Sequence, residues 1–172
     1  MFKNKIMKLE FPNEFHKENY EIMIDNWGKV EDLSEMSPGA LFLGKNYEEF
    51  LEITNEYKTN GRSGVNSDLY FIIDDKKNIV GGIQLRHNLG NSVLKEFGGH
   101  IGYGISPEFR ERGYAAKALE LLLIKAKEFG LDKILITCEI NNIASRKIIE
   151  KNLGIFERLS ESGKYNRFWI YL

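Results

Sequence analysis

Arg110, Arg112 and Gly113 stand just ahead of the small pair Ala115-Ala116, and a long apolar stretch begins at the same place. Guanidinium groups bring charge and a rigid fork of donors, while a glycine lets the backbone come close to whatever it binds. The backbone N–H groups of a helix's first turn have no partner inside the helix, and small residues there leave them open. Together these residues describe a cradle for a phosphorylated ligand, with a diphosphate approaching the backbone from Arg112 through Gly113 and Tyr114 to Ala115 and Ala116. The plainer alternative is a loop glycine flanked by solvated arginines.

Such a cradle needs a strand before it and a helix after it. Gly99 to Ile105 reads as that strand, stopped by Ser106-Pro107, and Gly113 to Phe129 reads as the helix, closing at Gly130. Lys133 to Cys138 is a continuous apolar strand of the kind buried on both faces, so strand, helix and strand predict a right-handed parallel crossover. Upstream, Ile6 to Phe11 reads as a strand, and Glu14 to Trp27 as a helix that Asn13 can cap. Tyr47 to Lys58 reads as a second helix, and Leu69 to Ile73 with Ile79 to Arg86 as a hairpin. Downstream, Asn141 or Asn142 caps a helix through Asn152, and Ile155 to Ser160 and Tyr165 to Leu172 read as strands. The fold class expected is α+β: a mixed, mostly antiparallel sheet with helices on both faces and one β-α-β crossover.

A length of 172 residues and 42% hydrophobic content suit one domain spanning the chain. Lys plus Arg (24) nearly cancels Asp plus Glu (25), so neither nucleic acid nor an anionic membrane is an expected partner. Cys138 is the single cysteine, and no metal-ligand spacing exists, which suits a reducing cytoplasm and no metal. The stretch Met1 to Phe11 is too broken by polar residues for a signal-peptide core, and the apolar run Leu121 to Ile124 is far short of a membrane span.

Arg110-x-x-Gly113-x-Ala115 between a strand and a helix resembles the acyl-CoA signature of the GNAT superfamily of N-acetyltransferases. The resemblance continues in Asn142-Ile143-Ala144-Ser145 and Glu150-Lys151-Asn152-Leu153-Gly154, and the order of elements matches from about Ile6 to Leu172. It implies acetyl-CoA as acyl donor, with its pyrophosphate on the backbone of Arg112 to Ala116, flanked by Arg110. The pantetheine arm would lie along Tyr103 and Ile105, with Asn142 reaching toward it and Ser145 one turn further on the same helix face. It also implies an acyltransferase acting on an amine. Many members place a tyrosine where this chain has Ile149.

Acyl transfer from a thioester to an amine needs a neutral amine, donors for the developing oxyanion and often an acid for the leaving thiolate. His100, at the start of the ligand-side strand, could deprotonate the amine; equally it could satisfy a backbone group at a strand end. Glu139, just past the buried strand, could accept the proton directly or through water, or serve only as a charge near a helix N-terminus. Tyr103 could donate a proton if its ring faces the cleft, although strand alternation turns it opposite to His100. Arg86 and His87 could hold an anionic substrate group or be ordinary loop-flanking polar residues. Cys138 reads as a small core residue more than a nucleophile, and Tyr165, Phe168, Trp169 and Tyr171 as packing more than a pocket wall.

The function expected is acetyl transfer from acetyl-CoA to a primary amine of a small molecule or peptide. The alternatives are a non-catalytic acyl-CoA-binding or sensor module and, more remotely, an unrelated phosphate-binding protein. Acceptor specificity should come from the helical cover, Met23 to Ser67, and from the connection His87 to Gly98. Glu31, Asp32 and Glu35 could attract a cationic amine. A homodimer is possible through an edge strand such as Tyr165 to Leu172.

Overall fold

The structure, a computed structural model, describes residues 7–28, 37–61 and 64–172. Ile6 and the acidic residues Glu31, Asp32 and Glu35 fall outside the described residues. The first strand is β1 (Lys8–Glu10), and Asn13 caps the turn Glu14–His16 by accepting from the Phe15 N–H, ahead of α1 (Lys17–Trp27). Next come α2 (Tyr47–Thr59), whose first turn is capped by Asn46 on the Glu49 N–H, and the hairpin β2 (Ser67–Ile73) and β3 (Ile79–Arg86). After β4 (Ile101–Ile105) the chain runs through α3 (Tyr114–Glu128), β5 (Lys133–Glu139), α4 (Ile143–Lys151), β6 (Ile155–Leu159) and β7 (Tyr165–Tyr171).

The strands form two antiparallel sheets, ordered β1-β2-β3-β4 and β5-β7-β6. Helices cover both faces of the first sheet, and β2 shows why its residues are almost all buried. Leu69, Phe71 and Ile73 pack with Tyr20, Met23, Trp27 and Phe50 of α1 and α2, whereas Tyr70 and Ile72 pack with Ala118, Leu119 and Leu122 of α3. Each fully buried aromatic or branched side chain of this kind stabilises the fold by about 1.5–3 kcal/mol relative to exposure. Strand β7 lies between β5 and β6, so the exposed edge of its sheet is β6, not Tyr165 to Leu172. Phe168 is buried, in keeping with packing.

The crossover is α3, joining β4 to β5. Among the described residues these two strands share no ladder; they touch where the His100 N–H donates to the Leu135 carbonyl (2.8 Å). The connection from His87, irregular in sequence, ends in a π-helical turn, Leu94–Gly98. Gly99 then follows at φ 60°, where a Cβ would sit 2.6 Å from the Leu135 oxygen. This glycine lets the chain press against β5 and turn into β4.

Candidate active site

The antiparallel register fixes which way β4 turns its main chain. Arg86 N–H donates to the His100 carbonyl (2.7 Å) and Ser106 N–H to the Val80 carbonyl (2.9 Å), with Gly102 opposite Gln84 and Gly104 opposite Gly82. Hydrogen-bonded and non-hydrogen-bonded pairs alternate along such a ladder. The main-chain groups of Ile101, Tyr103 and Ile105 are therefore turned away from β3, toward the side where β5 has separated. The alternating side chains divide likewise. Ile101 and Ile105, with Tyr103 packed against them, join the α3 side. Gly102 and Gly104 meet the segment at Ser37: a Cβ on Gly104 would run into the Ser37 carbonyl and approach Trp27. These two glycines admit that close crossing rather than a bulge, as the unbroken β3–β4 register shows.

Below β4, the loop carries Gly113 at φ 83° as the residue preceding α3, with open space where a Cβ would stand. Lys117 N–H to the Gly113 carbonyl (3.2 Å) is the bond that starts the helix, so helix geometry sends the Ala115 and Ala116 N–H groups out of its N-terminus. Tyr114 is buried beneath them. Arg110 Nε donates to the Ile105 carbonyl (3.0 Å), and the Arg112 guanidinium lies 5.5 Å from the Phe109 ring centre. Arg110 thus holds a β4 carbonyl that faces the open edge. A diphosphate fits this loop because the backbone is left-handed at a residue with no side chain and faces free space.

Across the separated strands, the Tyr103 hydroxyl meets the Ser145 Oγ at 2.8 Å. Burial pushes the Tyr103 phenol up to about 12, so it is protonated at neutral pH. Asn142 caps α4, its Oδ1 accepting from the Ser145 N–H at 3.0 Å. Ile149 is completely buried in the core and brings no acid to the site. Glu139 ends β5 with an exposed side chain. Cys138 is buried, and burial raises its thiol above the usual range, which suits a core residue.

His100 is buried at the root of the separation, and its Nδ1 accepts from the Leu135 N–H at 2.9 Å. Burial, with the nearby Arg86 charge, pushes the imidazole down to about 4. Since Nδ1 receives an N–H, the ring is neutral with its proton on Nε2. Two bonds, main chain to main chain and main chain to ring, join the strands here. His87 pairs with Asp68 (3.0 Å), and its ring centre lies 4.3 Å from that of Phe129 at a tilt of 35°. The structure thus separates His87 from the anion-holding role considered with Arg86.

Arg86 turns inward. Its Nη1 donates to the carbonyls of Gly98 (2.9 Å) and Gly99 (3.2 Å), and it lines a cavity of about 510 Å³ on the α1–α2 face of the first sheet. The walls come from both segments expected to set specificity: Phe42 and Tyr57 from the helical cover, Val93 and Phe97 from the connection. Sequence reasoning missed the cavity and the Tyr103–Ser145 contact because both join segments far apart in the chain. The Gly98-Gly99 pair opposite a strand-end arginine was the only local signal for the Arg86 clasp.

A strand with an open main-chain edge, leading into a glycine-headed helix, defines the acyl-CoA-binding architecture of the GNAT acetyltransferases, and the chain belongs to that family: a sequence model described as the acetyltransferase (GNAT) domain matches residues 17–153. The chain is 32% identical over 90 residues to the uncharacterised N-acetyltransferase YnaD of Bacillus subtilis (strain 168); the match spans 47% of this chain and about half, 52%, of that relative. Among solved structures it resembles RimL, a ribosomal L7/L12 α-N-protein acetyltransferase in complex with coenzyme A (TM-score 0.67, 16% identity, covering 100% of this chain and 97% of RimL). It also resembles the microcin C7 self-immunity acetyltransferase MccE in complex with acetyl-CoA and AMP (TM-score 0.66, 16% identity, 99% and 94% covered). A spermidine N-acetyltransferase SpeG chimera from Vibrio cholerae and hSSAT has the same fold (TM-score 0.63, 17% identity, 96% and 95% covered). Among the described residues no helix is long and apolar enough to cross a membrane, and no cluster of three His, Cys, Asp or Glu is placed to hold a metal.

Proposed function

We propose that the chain acts as one N-acetyltransferase domain, moving an acetyl group from acetyl-CoA to a primary amine of a small molecule or peptide by direct attack on the thioester. The observation that carries this reading is the open β4 edge at Tyr103 and Ile105, continuous with the uncluttered N-terminus of α3 behind Gly113. Pantetheine would extend the sheet along that edge, and the pyrophosphate would lie on the Arg112 to Ala116 backbone.

In the reaction the amine nitrogen forms a bond to the thioester carbonyl carbon, the C–S bond breaks with its electron pair on sulfur, and the amine loses a proton while the thiolate gains one. We assign the Tyr103 N–H to the developing oxyanion and the Tyr103–Ser145 hydroxyl pair to the thiolate. Glu139, exposed at the end of β5 and about 13 Å along the strand from Leu135, takes the amine proton through intervening water. His100, whose Nδ1 is occupied, is kept as a structural clasp. Tyr103→Phe should lower kcat about 100-fold with KM little changed, read by thiol release under saturating acetyl-CoA.

The reading is tested by titrating acetyl-CoA calorimetrically and assaying an amine panel. Absence of acetyl-CoA binding sinks it. The buried Ile149 favours a second reading, an acyl-CoA-binding module without chemistry, and binding without turnover of any amine would select that one.

A further inference from the structure

Arg86 is the only charged side chain among the described residues lining the 510 Å³ cavity. It projects from the end of β3, and burial lowers its pKa. A guanidinium removed from water is costly unless an anion or several acceptors face it. Here one nitrogen, Nη1, is spent on the Gly98 and Gly99 carbonyls, and no carboxylate stands against the group among the described residues. The remaining edge, Nε with Nη2, is the two-donor fork that matches a carboxylate. The rest of the lining is neutral: Gln84 and Ser67, already hydrogen-bonded to each other at 2.8 Å, and apolar walls that include Phe42, Val93 and Phe97.

The cavity and the donor groove share a wall. Gly98 and Gly99, whose carbonyls hold Arg86, lead directly into His100 and the open strand β4. An acceptor seated on Arg86 would therefore lie at the end of β4 where the strands part.

We propose that the acceptor amine carries a carboxylate, which Arg86 holds through its free edge while the apolar walls cover an amino-acid-sized body. The proposal rests on the acetyltransferase reading above and selects an acceptor class within it. A polyamine is disfavoured at this cavity, because its ammonium groups would meet a buried cation and no described carboxylate.

The experiment compares the standard amino acids, the corresponding amino-acid amides and spermidine as acceptors for the full chain, with thiol release as readout and acetyl-CoA affinity measured separately. We expect kcat/KM for the carboxylate-bearing members to exceed that of their amides about 50-fold. Arg86→Gln should erase that preference chiefly through KM, with acetyl-CoA affinity unchanged; the amide comparison on the natural chain needs no variant and stands even if Arg86→Gln fails to fold. Amides or spermidine used as well as carboxylates would overturn the proposal, as would acetyl-CoA binding with no turnover of any carboxylate acceptor. Failure to bind acetyl-CoA would instead remove the acetyltransferase reading itself.

Discussion

Gly113→Asp is expected to raise the acetyl-CoA dissociation constant on the order of 1,000-fold while leaving the fold intact. The residue sits at φ 83° with no atom within 4 Å of where a Cβ would stand, so an added carboxylate points into open space in front of the α3 N-terminus. That space is where the pyrophosphate is assigned. At an effective dielectric of about 20, a negative charge about 8 Å from each of the two phosphate charges costs roughly 2 kcal/mol per pair, about 4 kcal/mol together, which is the ~1,000-fold. Stability behaves differently. An L-residue in this left-handed conformation costs about 1–2 kcal/mol, and Asp recovers about 0.3–1 kcal/mol from its charge beside the helix dipole. The net loss, about 1 kcal/mol, lowers Tm by about 2–4 °C. Gly113→Ala carries the strain without the charge and should weaken binding only about 10-fold. Calorimetry with both variants separates the two effects, and an Asp variant that binds acetyl-CoA normally would remove the loop from the cofactor site.

The second large effect concerns acid stability. With its imidazole held down to about 4 against an ordinary 6.5, His100 stays neutral in the fold where the unfolded chain takes up a proton. The unfolded state binds more protons throughout that window, so stability rises with pH there. The contribution, roughly 3 kcal/mol, is fully present above pH 6.5 and is lost as pH falls through 4. His100→Asn keeps an acceptor near the Nδ1 position for the Leu135 N–H but cannot titrate. It should cost about 2 kcal/mol at pH 7 through lost packing, a deficit that should vanish near about pH 5 and reverse below it, where the natural protein has lost more than that. Urea unfolding across the pH range reads the difference between the two proteins. Carboxylates held low by hydrogen bonds, Glu10 by Lys8, Glu48 by Lys17 and Glu96 by Arg158, titrate in both and cancel. Parallel curves would show that the imidazole titrates as it does in water.

The backbone features of the proposed donor half were legible because their determinants are local. The Gly113 conformation, the small first turn of α3 and the Ser106-Pro107 stop are written within a dozen residues, and local conformational preference fixes them. Asn142 is likewise a local cap. His100 was not legible in the same way, since whether its ring meets solvent or Leu135 depends on how β4 and β5 approach each other. Gly102 and Gly104 illustrate the same limit. Two glycines in one strand suit a bulge or a ligand groove equally, and only the tertiary arrangement shows that the neighbour is Ser37 and the indole of Trp27. Strand order failed for a related reason: nothing in Tyr165 to Leu172 marks it as central, because a buried edge and an interior strand have the same alternation.

The run Gly98-Gly99-His100 concentrates three duties in consecutive positions: two carbonyls for a guanidinium, a left-handed turn against β5, and a ring that clasps it. Mutational freedom in the pocket is therefore unequal. Floor and hinge are tied to each other and tolerate little drift, whereas Val93 and Phe97 are exposed wall residues upstream of that run. On the proposed assignment of cavity and groove, new acceptor preferences would arise under divergence, or in directed evolution, by exchanging these walls, with the donor groove inherited unchanged.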